Sequence, residues 1–202
     1  MRDVQPHAHG GALPGQYRSE KSADSGSSPD RREFSKLDDG GNPTPESIRI
    51  LRREVASTVT VVTTADRGGF KGVTVSAFAI VSLLPPRLLV CLGAESERRG
   101  QIESLGHFAV SVLGDTQEFL ADQFAGRAPS VNPRFDGVKH RLSGLGDPIL
   151  EDSIVWFSCA VDGTSAQGDH VVIYGDIREA GFGRGREPLL YFDGSYRRFE
   201  AH

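Results

Sequence analysis

TVTVVTT (58–64) and GVTVSAFAIVSLLPPRLLVCLG (72–93) are the two stretches that decide the fold of this 202-residue chain. β-Branched residues fill nearly all of the first, and ADRGG (65–69) supplies turn residues before the second. Together they read as strand, turn and strand, with 72–82 as one strand-like run. Pro85 and Pro86 then break one strand and start the next, because proline cannot donate to a ladder. Tight units this rich in Val and Thr belong to a barrel or a sandwich.

Working outward, a helix is expected ahead of the first strand. Thr44 can cap it, Pro45 suits its first position, and Glu46 favours the positive end of its dipole. Ile48, Leu51 and Val55 form its apolar stripe. Beyond residue 93, a second helix is expected from Ser96, its N-cap, to Leu105, and HFAVSVLG (107–114) is a strand. Asp115 with Glu118 forms a capping box for a third helix, with Phe119, Leu120 and Phe124 on its apolar face. The stretch 126–149, rich in Gly and Pro, reads as a long loop of the kind that often carries function. IVWFSCAVDGTSA (154–166) and DHVVIYGDIREAGF (169–182) are long strands turned by Gln167 and Gly168, and PLLYFDGSYRRF (188–199) closes the chain with a strand pair. Six or more strands and three irregularly placed helices make a mainly β protein with an antiparallel barrel.

Composition narrows the function. A formal net charge of −4 gives no support for nucleic acid as a partner. No apolar run approaches the ~20 residues that span a bilayer, and MRDVQPHAHGGALPG at the start lacks the apolar core of a secretory signal. A reducing cytoplasm is the simplest fit. Cys91 and Cys159 sit in apolar runs without metal-ligand spacing. Residues 1–43 are rich in Gly, Ser, Pro, Asp and Arg, so a disordered tail is expected there and a folded domain over 44–202.

The chain has no G-x-G-x-x-G after a strand, no G-x-x-x-x-G-K, no G-x-S-x-G and no H-E-x-x-H. Rossmann-type nucleotide binding, phosphoryl transfer and serine hydrolysis therefore have no visible machinery. Hydroxyls do concentrate on the strands: Thr58, Thr60, Thr63 and Thr64, then Thr74, Ser76 and Ser82. They either face water from one side of a sheet or grip a polar, planar ligand. His170 stands out among the histidines because it lies at a turn beside Gly168 and Asp169.

In order along the chain, TVTVVTT, VTVSAFAIVSLLPP, FAVSVL, QxxLAxxFA (117–125), RFDGV (134–138), GDHVVIYGDI (168–177) and PLLYFDGSYRRF closely resemble the flavin reductase-like family. The resemblance implies a split β-barrel with a few flanking helices, a homodimer, and flavin near the subunit interface. It implies an NAD(P)H:flavin oxidoreductase that passes a hydride from NADH, less readily NADPH, to FMN or FAD and supplies a separate oxygenase. A flavin carrier of the same fold is the alternative. Carried onto this sequence, Thr60, Val61 and Val62 would meet the ring edge. Thr74, Val75, Ser76, Ala77 and Phe78 would line the ring and ribityl chain, beside Cys91 and Leu92. Ser82 and Ser96 would lie nearer the phosphate, with Arg98 or Arg99 to neutralise it. Arg134 and Phe135 would cover the cofactor, and His170 and Tyr191 would shape the nicotinamide side, His170 as the catalytic candidate. The chain departs from the family at Thr58, commonly Gly, and at Ser111, often Asn. No basic cluster is visible for a 2′-phosphate.

Overall fold

A computed structural model describes residues 42–128 and 135–199. The tail expected over 1–43 therefore lies almost wholly outside the described residues, as does Arg134.

The chain enters through α1 (Pro45–Arg53), capped as its sequence predicts. The Thr44 hydroxyl accepts from the Ser47 amide, and Ser47 Oγ accepts from the Thr44 amide. Helix α1 does not bury the expected stripe: Ile48, Leu51 and Val55 are about half exposed or more. Next come β1 (Ser57–Thr58), β2 (Thr60–Asp66) and β3 (Gly69–Val75). The run 72–82 is not one strand. It breaks at Ser76–Ala77, and β4 (Phe78–Leu83) begins beyond the break, followed by β5 (Pro86–Gly93). Helix α2 (Glu97–Leu105) has Ser96 at its N-cap position, although the serine side chain makes no capping bond. Strand β6 (His107–Val112) follows.

Helix α3 (Glu118–Phe124) starts three residues later than the expected box at Asp115. The reason is tertiary. Around residues 113–115 the backbone is still tied into β-type pairing, Leu113 to Val59 and Leu189, and Asp115 to Glu187. Gln117 takes over the local bonding, its Oε1 accepting from the Gly114 amide at 2.9 Å. The described part of 126–149 is also more than a loop, because β7 (His140–Leu142) and β8 (Pro148–Leu150) pair within it. The long strands are β9 (Val155–Gln167) and β10 (His170–Phe182), so their turn is Gly168–Asp169 rather than Gln167–Gly168. The final hairpin is β11 (Leu189–Phe192) and β12 (Ser195–Arg198).

Seven strands form one antiparallel sheet in the order β3-β2-β6-β9-β10-β5-β4. Val62, Val75, Leu88, Val90, Phe108, Val110 and Ile173 come from five of these strands and share one core. Both flanks of the sheet reach that core, so the sheet is curled into the expected split β-barrel, open between β3 and β4. Gly175 lets β10 close on this core: a Cβ there would stand 2.7 Å from Phe108 Cζ. A second core covers the outside of β2, where Val59, Val61, Leu113, Phe124 and Leu189 pack together. Strand β2 is thus buried on both faces, its three threonines included.

Candidate functional site

A cleft of about 930 Å³ opens where the barrel is split. Its floor is the β3–β4 bend, with Thr74, Ser76 and Ala77. One wall is the C-terminal half of α1, with Arg49, Arg52 and Arg53; another is the β11–β12 hairpin, with Tyr191, Gly194 and Tyr196. Arg127 and His170 complete it. Four arginines and a histidine line this cleft, and none of the lining residues is acidic. Three of these arginines are paired with carboxylates outside the lining, Arg49 with Glu46, Arg53 with Asp193 and Arg127 with Asp122, so the lining itself presents the cationic side of each pair.

Short-range contacts hold the arginines. Arg52 Nη2 donates to Ser76 Oγ at 3.2 Å, joining α1 to the bend. Arg53 pairs with Asp193 at 3.4 Å and lies over Gly194. Arg127 donates from Nε to Asp122 Oδ1 at 2.9 Å and from Nη2 to the Tyr196 hydroxyl. Tyr196 in turn donates to Asp122 Oδ1 at 2.9 Å. Burial, reinforced by that bond, pushes the Tyr196 phenol up to about 12. His170 sits on the rim at the start of β10, opposite Gly93 of β5. Its Nδ1 donates to the Asp169 carboxylate at 2.8 Å, which leaves Nε2 as the nitrogen not used in that bond. The same bond holds the Asp169 carboxyl below its ordinary range.

Of the residues expected at the site, Thr74, Ser76, Ala77, His170 and Tyr191 line the cleft. Their roles there differ: Thr74 Oγ1 already donates to the Ala121 carbonyl at 2.7 Å, whereas Ser76 faces Arg52. The side chains of Thr60, Val61, Val62, Val75 and Leu92 are buried in the protein. Phe78 packs against the barrel core and Phe157. Cys91 is beside the bend, its amide donating to the Ala77 carbonyl at 3.0 Å, and burial raises its thiol. Ser82 belongs to β4, and Ser96 heads α2. Arg98 is bound to Gln101, and Arg99 to the Ala94 carbonyl and Glu103. Phe135 stacks with Phe70, Phe124 and His140 in an aromatic cluster on the second core.

Two of the strand hydroxyls on β2, those of Thr60 and Thr63, met neither expectation. Thr60 donates to the Val75 carbonyl at 2.7 Å and Thr63 to the Pro148 carbonyl at 2.6 Å, both fully buried. They neither face water nor reach the cleft. Sequence reasoning missed Arg49, Arg52, Arg53, Arg127 and Tyr196, and with them the basic cluster. The basic end of α1 and the Gly126 that ends α3 were the only local signals.

The family model described as flavin reductase like domain matches residues 51–200. The chain belongs to the flavin reductase-like family. Relatives within it include a probable flavin reductase of Rhizobium meliloti, 39% identical over 75% of this chain. This chain spans only 48% of that longer protein. The reductase subunit HsaB of a flavin-dependent monooxygenase from Rhodococcus jostii is 33% identical over 77% of this chain and 78% of its own length. Among solved structures of the family, the NADH:FAD oxidoreductase SgcE6 of Streptomyces globisporus superposes with a TM-score of 0.73. It is 31% identical, over 85% of this chain and all of its own.

Proposed function

We propose that this protein is an NADH-dependent flavin reductase that takes FMN or FAD and hands reduced flavin to a separate oxygenase. The observation that carries the reading is the carboxylate-free cleft, with four arginines on its walls and hydroxyls on its floor, in a chain of this family. A nucleotide fits it: there is room for a planar ring against Ala77 and Tyr191, and guanidinium groups for phosphate oxygens. Bound flavin supplies the hydride-accepting centre, so the protein has to bind, orient and exclude water. Ser76, held by Arg52, presents a hydroxyl on the floor. His170, fixed through Nδ1 by Asp169, offers Nε2 at the rim where the reductant enters. It orients the nicotinamide nucleotide and is no general base.

The names of relatives support this reading, one being a monooxygenase reductase subunit and another an NADH:FAD oxidoreductase. Among the described residues no helix is long and apolar enough to cross a membrane, and the reading places the enzyme in the cytoplasm. It also makes the enzyme a homodimer. The β4–β5 tip leaves Leu83 87% and Leu84 93% exposed, and Ile80 and Val81 are half exposed on the same strand. So much free apolar surface on one hairpin fits a second copy of the chain.

The test is anaerobic mixing of protein, NADH and limiting FMN or FAD, following loss of oxidised-flavin absorbance. Protein-dependent bleaching is expected, with the faster flavin as the preferred one. A H170A variant should raise KM for NADH while leaving flavin affinity near that of the wild type. Flavin binding without bleaching would replace the reductase by a carrier, and an unchanged KM in H170A would remove His170 from the site.

A further inference from the structure

Arg127 lies just past α3, and its backbone is fixed before its side chain comes into play. Gly126 takes a left-handed conformation (φ +70°), its amide donates to Gln123, and the Arg127 amide donates to Asp122 at 2.9 Å. This double bond pattern is the Schellman closure of a helix end. The guanidinium then rests over the rings of Tyr191 and Tyr196, 5.9 and 5.6 Å from their centroids. Those two tyrosines are partners on one rung of the β11–β12 hairpin. Arg53 lies at the tip of the same hairpin, with only the Phe192–Ser195 rung between.

Nε of Arg127 is used on Asp122 and Nη2 on the Tyr196 hydroxyl. Among the described residues, Nη1 has no hydrogen-bond partner, and half of the side chain is exposed on the cleft. Asp122 is engaged by both Arg127 and Tyr196 and is not among the cleft-lining residues. The hairpin therefore presents two guanidinium groups, Arg53 and Arg127, to a cleft that no carboxylate lines. An Nη1 group unpartnered among the described residues, over an aromatic shelf, matches a phosphate oxygen better than it matches a flat ring.

We infer that Arg127 is a specificity-determining residue of the cleft, binding a phosphate group of the nucleotide through Nη1 in concert with Arg53. The inference rests on the flavin reductase reading. The phosphate belongs either to the flavin or to the nicotinamide dinucleotide, and kinetics separate the two. The probes are riboflavin, which has no phosphate, FMN and FAD as acceptors, each with NADH, in wild type, R127Q and R127K.

R127Q is expected to raise KM for the phosphate-bearing nucleotide about tenfold, as for loss of one charge-assisted hydrogen bond, with kcat changed less than twofold. R127K should fall between, since it keeps the charge and loses the fork. A higher KM for FMN and FAD, with riboflavin and NADH unmoved, assigns the flavin phosphate. A higher KM for NADH with every acceptor assigns the dinucleotide. A rise in KM for riboflavin equal to that for FMN, or no rise for any nucleotide, overturns the inference. If R127Q does not fold, R127K carries the same comparison, because it retains the charge beside Asp122. Failure of the wild type to reduce any acceptor would strike the underlying reading instead.

Discussion

Two arginine pairs in this chain look alike on paper and behave differently in the fold. Arg98–Arg99 opens α2, and Arg52–Arg53 closes α1. In α2 each guanidinium finds a partner one turn ahead: Gln101 lies three residues after Arg98, and Glu103 lies four after Arg99. Pairs at that spacing share a helix face and capture one another. Helix α1 ends at Arg53, so no helical turn remains to receive its arginines. They reach out of the helix to the β3–β4 bend and to the β11–β12 turn. The same dipeptide becomes a self-paired helix face at one place and a cleft wall at the other, and its position within the helix decides which.

The most direct way to break this comparison is to remove each pair in turn. R52A/R53A should raise KM for the phosphate-bearing nucleotide about a hundredfold, two charge-assisted contacts being lost. R98A/R99A should change it less than twofold. Equal effects in steady-state kinetics would mean that α2 also faces the ligand.

An intermediate effect concerns what the cleft arginines lean on. The Tyr196 phenol is raised from its ordinary value near 10 to about 12. The folded protein thus keeps a proton that the unfolded chain releases first, so this contribution is complete below about pH 10 and is lost as pH climbs towards 12. Thermal melting across that range should fall more steeply for the wild type than for Y196F. Parallel curves would show that the phenol is not part of the arginine's support.

The smallest effect tests the α2 side. E103A removes a pair whose side chains are 32% and 31% exposed and should cost about 0.3–0.5 kcal/mol in denaturant unfolding, with no change in nucleotide KM. A kinetic change in E103A, which leaves Arg99 only its bond to the Ala94 carbonyl, would show that capture by Glu103 is what keeps it from the cleft.

Much of the barrel was legible because its strands announce themselves. TVTVVTT is β-branched, and β9, β10 and the closing hairpin are bounded by turn residues. The break at Ser76–Ala77 was hidden, since neither Gly nor Pro marks it and apolar residues run through on both sides. Helix α3 was placed too early because the pull on Asp115 comes from Glu187, 72 residues away in the chain. Family resemblance led to Thr74, Ser76, Ala77, His170 and Tyr191, whereas the basic walls could not be read locally. Arg53 and Arg127 come together only once the C-terminal hairpin folds between them. The buried threonines show a further limit: Thr60 and Ser76 are equally polar on paper, yet one donates inside the sheet and the other faces the cleft.

The break at Ser76–Ala77 also sets a dimension. It links β3 and β4, the two flanks of the seven-stranded sheet, with only two residues. From Val75 to Phe78 a fully stretched chain covers roughly 11 Å. The mouth of the barrel is therefore laced by a covalent tether whose length, rather than any sum of weak contacts, limits how far its lips can part. Lengthening that tether by even a few residues would let the seam gape, whereas the same insertion at the exposed β4–β5 tip would leave its width alone.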